Sequence, residues 1–268
     1  MLAARLCWRG PPMTKDNLFK IIISLFVILI IWWIILQILP DKETTAHSLY
    51  NFGYGLIFLL AGILGLNKAS FFKKDENKIG LSLIFLSFAS FSYFAAQTIW
   101  TFYNLVLQNE KPYPSFADIF YVAFYALVGI GLFLIILEAE KLFDLTDLIF
   151  IFFVPTLAII LSFYIYTQLG YFSNPDKTFI KPFFDILYTF GDVILISLSF
   201  AVIHWWQNLR KAFLILASSF LIAALADFLF SLTISNNTYY NGNFVDLFFT
   251  ISGFAFAWGI SLIKPKET

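Results

Sequence analysis

The sequence predicts an all-α, polytopic integral membrane protein with eight transmembrane helices, and two observations carry that prediction. Sixty per cent of the 268 residues are hydrophobic and only 13% are charged, with 35 Phe among them. A water-soluble domain of this size has no interior large enough for so much apolar surface, so the bilayer is its solvent. The second observation is periodic punctuation. Stretches long enough to span, about 20 mainly apolar residues each, recur at 20–39, 48–66, 79–106, 115–137, 146–167, 182–204, 212–234 and 243–263, with polar residues between every pair.

Charge placement agrees with an even number of spans. Both termini then share one side, and thirteen of the 17 Lys and Arg fall there, leaving Lys42, Lys111, Lys177 and Lys181 opposite. The positive-inside rule makes the richer side cytoplasmic. The expected location is the plasma membrane, multi-pass, with both termini in the cytoplasm. The cations are scattered over short loops, so no nucleic-acid stripe exists.

Each span has a local justification. The first is too long for a secretory signal and lacks a small-residue cleavage site, so it reads as an anchor. Residues 1–12, "MLAARLCWRGPP", differ in composition from the rest and read as a start-site extension before Met13. The one cysteine, Cys7, lies in that extension and rules out an internal disulfide. The third and seventh spans carry small residues for close helix approach: Ser87, Ala89, Ser90, Ala95 and Ala96, then Ala217, Ser218, Ser219, Ala223, Ala224 and Ala226. Pro155 is expected to kink the fifth. No soluble module interrupts the spans, and only "KPKET" follows the last.

Two short echoes suggest an internal repeat. "LYNFGYGLI" at 49–57 returns as "LYTFGDVIL" at 187–195, and "FADIFY" at 116–121 returns as "FVDLFF" at 244–249. Both pairs hold equivalent positions within a four-span half. The expected organisation is two parallel halves, 13–140 and 141–268, in one membrane domain.

Carboxylates inside the spans carry the functional argument, because an ionisable group at mid-bilayer costs about 2.5–3.5 kcal/mol on insertion scales. Asp118 and Asp246 lie in the first turns of the fourth and eighth spans. Asp192 and Asp227 lie deeper, roughly 15 Å and roughly 12 Å from the outer end at 1.5 Å per residue. Helical spacing aligns Asp185, Tyr188 and Asp192 on one face, as it does Asp118, Tyr121 and Tyr125. Tyr93, Gln97, Trp100 and Asn104 make a third stripe, and Asp227 with Ser231 a fourth. No Lys or Arg lies deep enough to neutralise them.

Two readings stand for each group. Ser115 and Asp118 form an S-x-x-D capping box, and Asp246 holds a similar helix-start position. The outer Tyr and Trp also suit an interfacial aromatic belt. Asp192 and Asp227 are too deep to cap, which leaves interhelical hydrogen bonding or a pocket for a small polar or cationic ligand. The candidate ligand-binding set is Asp192, Asp227, Asp118, Asp246, Gln97, Tyr188, Tyr121, Tyr125 and Trp100.

Other chemistry has little material. His47, placed in an outer loop, and His204 each stand alone, so no metal site is implied, and no cofactor motif, phosphate loop or nucleophile elbow is present. "NNT" at 236–238 fits a glycosylation acceptor.

The run from "AAQTIW" through "KPYPSFADIFYVAFY", together with "LYTFGDVILISL" and "ALADFLFSL…YYNGNFVDLFF", resembles an eight-helix membrane region. In bacteria that region stands ahead of diguanylate cyclase (GGDEF) and EAL domains. The resemblance covers the chain from about residue 45. On that match Pro114, Ser115, Asp118, Tyr121, Gly191, Asp192, Asp227, Gly242 and Asp246 carry over. Thr189 replaces the usual Pro beside Tyr188, Phe248 or Phe249 stands near the expected Trp, and the output domain is missing. The resemblance implies a sensory input module. The reading taken from it and from the carboxylates together is a sensor rather than an enzyme, with a separate signalling protein or a homo-oligomer as the expected partner. A small-solute or cation/proton-coupled transporter is the alternative, and a membrane-embedded enzyme or structural subunit the third reading.

Overall fold

In the computed structural model, which describes residues 15–72, 77–109, 111–139, 145, 149–168 and 180–264, every described regular element is helical. The helices are α1 (Lys15–Ile38), α2 (Thr45–Ala69), α3 (Asn77–Leu105), α4 (Ala117–Glu138), α5 (Val154–Gln168), α6 (Ile180–Trp205), α7 (Arg210–Ser235) and α8 (Phe244–Leu262). Seven of them, all but α5, are long and apolar enough to cross a membrane. Residues 1–12, read above as an extension, lie outside the described residues.

The fifth predicted span takes a different form. A π-helical turn at Ile149–Phe153 runs directly into α5, whose second residue is Pro155. Proline lacks an N–H and its ring crowds the preceding turn, and a widened π turn relieves both. The irregularity expected at Pro155 coincides with this change of helix type.

The ends of the helices follow local chemistry. Gln108 (φ 53°) and Asn237 (φ 56°) take left-handed backbone just past α3 and α7, which stops each helix. Lys42 reaches back over the end of α1, donating to the carbonyls of Leu36 at 3.3 Å and Gln37 at 2.8 Å. His47 falls in the first turn of α2 rather than in a loop, buried, with Nδ1 at 2.7 Å from the Thr44 hydroxyl.

Six helices close into a ring in the order α2, α3, α4, α6, α7, α8, with α8 returning to α2. α1 packs outside, in the groove between α2 and α8, where Phe26 stacks on Phe254 at 4.2 Å. α5 packs outside on α6. The outer helices expose Ile28, Ile31 and Ile35 on α1 and Leu157, Ile160 and Leu161 on α5. Such faces need lipid around them, because water would make them an aggregation surface. The small residues largely do what their spacing predicts. Ser87, Ala89, Ser90, Ala96, Ala217, Ser219 and Ala226 are buried between helices, whereas Ser218 faces outward and bonds its own helix at the Leu214 carbonyl.

At the end of the ring away from the 106–116 and 236–243 loops the core is mainly hydrocarbon, broken by Lys68 and by serines such as Ser82, Ser87 and Ser90. Leu64, Leu83, Leu86, Val128, Leu132, Val202, Phe213, Leu216 and Ile260 are all fully buried there. The candidate carboxylates collect at the other end.

Candidate functional site

The ring encloses a cavity of about 60 Å³ lined from all six of its helices. A buried water needs roughly 10–15 Å³ on this measure, so the space admits a few waters or one small solute. All nine candidate residues line it: Asp118, Tyr121 and Tyr125 from α4, Gln97 and Trp100 from α3, Tyr188 and Asp192 from α6, Asp227 from α7 and Asp246 from α8. The tyrosines and Trp100 therefore face the cavity rather than forming a lipid-facing belt.

Asp118 and Asp246 are held alike. Asp118 Oδ2 accepts the Ser115 backbone N–H at 2.5 Å, and its other oxygen accepts the Tyr188 hydroxyl. Asp246 Oδ2 accepts the Gly242 N–H at 2.6 Å, while Oδ1 accepts the Tyr239 hydroxyl at 3.1 Å. Gly242 has φ +76°, a conformation that disfavours any side chain, and this turn aims its N–H at the carboxylate. Each aspartate thus satisfies a free N–H before its helix and anchors a tyrosine. The capping box is only half realised: Ser115 Oγ accepts from Ala117 at 3.2 Å, and α4 begins two residues after the serine.

Asp192 and Asp227 meet through Tyr125, whose hydroxyl lies 3.0 Å from Asp192 Oδ1 and 2.7 Å from Asp227 Oδ2. A phenol has one proton, so it cannot donate fully to both. Either that hydrogen is shared, or one carboxyl carries a proton of its own. Gly191 makes the arrangement sterically open, because a β-carbon there would overlap the Tyr125 ring.

Among the lining residues, Asp192 Oδ2 and Gln97 Oε1 accept no hydrogen bond from a fixed donor, although the Asp192 and Asp227 carboxyl groups lie within hydrogen-bond reach of each other. Asp192 and Gln97 are only 2% exposed, so bulk water does not satisfy them. Gln97 spends its other amide atom on the Tyr54 hydroxyl at 2.7 Å. Buried polar atoms are normally paired, and an unpaired one calls for a missing partner.

The rim and floor come from residues that periodicity does not single out. Asn241, in the loop before α8, ties that loop to α3: its Oδ1 accepts from Trp100 Nε1 at 2.9 Å and its amide nitrogen donates to Asn104, while the Asn51 amide, oriented to suit its neighbours, donates to Asp246 Oδ2 at 3.0 Å. Burial pushes the Tyr239 phenol well above its ordinary range, and the Asp246 charge adds to this, so Tyr239 stands as a fixed donor. The floor is aromatic. Phe124 lies 5.6 Å from Phe256 and 6.0 Å from Phe58, and Phe220 lies 6.0 Å from Phe256.

Asp185 shares a stripe with Tyr188 and Asp192 but does not line the cavity. It accepts from Tyr113 at 2.6 Å and Ser231 at 2.8 Å, and pairs with Lys181 at 3.5 Å. The Lys181–Asp185 spacing of four residues is the sequence signal for this diversion. Ser231 consequently serves Asp185 rather than Asp227.

Compared with known proteins, the chain matches no family model, no curated protein and no solved structure.

Proposed function

We propose that this chain is a membrane-embedded ligand-binding module that senses a small solute and signals through a separate partner. The observation that carries this reading is the cavity with two buried acceptors that have no fixed donor, Asp192 Oδ2 and Gln97 Oε1, ringed by six helices. The eight-span arrangement, cytoplasmic termini and plasma-membrane location belong to the same reading, with the 149–168 segment as the eighth span. The cavity then faces the non-cytoplasmic side. The two-repeat organisation fits the neighbour relations, in which α1 on α2 is matched by α5 on α6, and α4 against α6 by α8 against α2. The resemblance to membrane regions preceding cyclase domains supports a sensory role.

A cation- or proton-coupled transporter is the second reading, favoured by the Asp192–Tyr125–Asp227 bridge. The aromatic floor and the mainly apolar core beyond it favour sensing over transport.

The test replaces Asp192 and Asp227 together by Asn and measures solute binding to the purified, folded protein, alongside flux in proteoliposomes. Lost binding without flux in the wild type supports the sensor. Wild-type binding by the double variant sinks the pocket, and solute flux through wild-type proteoliposomes selects the transporter.

A further inference from the structure

We propose that the solute is a small organic ammonium ion bearing N–H groups, held at the Asp192 carboxylate against the aromatic wall of the cavity. The inference rests on the ligand-binding reading of this cavity and names its ligand class.

Charge is the first reason. Four carboxylates line the cavity, and no Lys, Arg or His is among the residues that do. Asp118 and Asp246 have their oxygens occupied by backbone N–H and tyrosine hydroxyl donors. With both carboxyls of the Asp192–Asp227 pair ionised, the one phenol hydrogen between them leaves the pair short of positive charge. Buried charges are tolerated when paired, so the deficit calls for a cation.

The orphan atoms give the second reason. Asp192 Oδ2 is a carboxylate oxygen and Gln97 Oε1 an amide oxygen, both acceptors and both 2% exposed at the residue level. If the Gln97 amide is turned over, its Tyr54 contact is kept as an acceptor and the nitrogen takes the orphan place. Asp192 Oδ2 asks for an outside donor in either orientation once the Asp192–Asp227 pair is fully ionised. A cationic nitrogen bearing N–H groups answers both charge and hydrogen bonding at Asp192, as a primary or secondary ammonium does.

The walls decide between an organic and an inorganic cation. Calcium takes six to eight oxygen ligands and magnesium a near-ideal octahedron. No three acidic, His or Cys side chains among the described residues converge to offer such a set. The cavity instead presents ring faces and edges from Tyr54, Tyr93, Tyr121, Phe124 and Phe249. Such surfaces attract organic cations and accept their C–H groups, whereas they cannot replace the water shell of a bare metal ion. The volume of about 60 Å³ limits the ligand to a few heavy atoms.

The experiment uses the full chain in lipid nanodiscs and follows binding by calorimetry at pH 8, with ethylammonium chloride as the probe. Ethanol, sodium chloride and tetramethylammonium chloride serve as comparisons. Saturable binding of ethylammonium, with none for sodium and weaker binding for tetramethylammonium, is the expected result. Asp192→Asn should weaken it about tenfold or more, as losing one partner of a buried charge pair does. Gln97→Glu adds a carboxylate at the same wall and should tighten it, which keeps the proposal testable if Asp192→Asn does not fold. Saturable binding of ethanol in place of ethylammonium overturns the ammonium assignment and leaves a ligand cavity standing. Failure of all four probes to saturate overturns the assignment, and unchanged affinity in Gln97→Glu does the same.

Discussion

The ring of Tyr125 occupies the space where a β-carbon of residue 191 would lie, so Gly191 is what allows the tyrosine to reach both Asp192 and Asp227. Gly191→Ala should therefore displace the ring and break the bridge. Overpacking of this kind costs about 1–3 kcal/mol. Thermal unfolding in nanodiscs should register the loss, together with weakened ligand binding. Gly129 is the control, since a β-carbon there meets only Leu195 Cδ2 at 3.9 Å. Gly129→Ala should leave both measurements unchanged, and equal damage from the two substitutions would refute the steric role of Gly191.

The helices were legible in the sequence because lipid demands long apolar stretches, and nothing else in a chain this greasy competes for that pattern. Asp118, Asp192, Asp227 and Asp246 were legible for the same reason, as costly exceptions in such stretches. Tyr54 and the phenylalanine floor were not, since one residue in five is aromatic and period alone does not tell a cavity wall from a lipid face. Asn241 and Tyr239 sit in a connecting loop, where no periodicity exists to place them. Asp185 shows the opposite failing: its stripe aligned it with Asp192, but Lys181 one turn earlier draws it away.

Ala223 lines the cavity without making any polar contact that holds the site together. Ala223→Leu should fill part of the space and abolish binding of ethylammonium while leaving the carboxylate network intact. Leucine is as good a helix former as most residues, so α7 should tolerate it. Calorimetry and thermal unfolding on one preparation check the pair of expectations. Retained affinity would place the ligand elsewhere.

Asp118 performs two tasks, and different replacements separate them. Asp118→Ala removes the acceptor for the Ser115 N–H and for the Tyr188 hydroxyl. Loss of a helix-start acceptor costs about 0.5–2 kcal/mol, and the stranded tyrosine adds to it. Asp118→Asn keeps an oxygen for the backbone N–H and removes the charge. It should unfold at a temperature nearer wild type while binding the ammonium probe more weakly. A variant Asn protein that binds normally would reduce Asp118 to a cap.

Protons compete with the ammonium ion for the same negative charge, which sets the sign of the pH dependence. An alkylammonium group keeps its charge below about pH 9, given an amine pKa near 10.4. Affinity should therefore fall on acidification, as protons take the place of the ammonium ion, and recover when the pH is returned to 8. The other charged neighbours hold fixed partners: Asp118 and Asp246 accept backbone N–H groups, and Asp185 pairs with Lys181. Tyr125→Phe removes the shared hydroxyl and should change the steepness of that pH profile more than Tyr121→Phe does, for no hydrogen bond from Tyr121 joins the bridge. Calorimetric titrations at four pH values from 8 downwards provide the check.

The sidedness proposed from the charge distribution is open to direct measurement. The chain has a single cysteine, Cys7, so a Cys7→Ser background carries no thiol. Asn237 lies exposed in the loop beside the cavity end of the bundle, and Lys264 follows α8 at the opposite end. Under the positive-inside reading, Asn237→Cys should react with a membrane-impermeant maleimide on intact cells, and Lys264→Cys only after the membrane is opened. The bound solute then comes from outside the cell, as an input module requires. The reverse labelling pattern would turn the cavity towards the cytoplasm, and the ligand would have to be sought among internal amines.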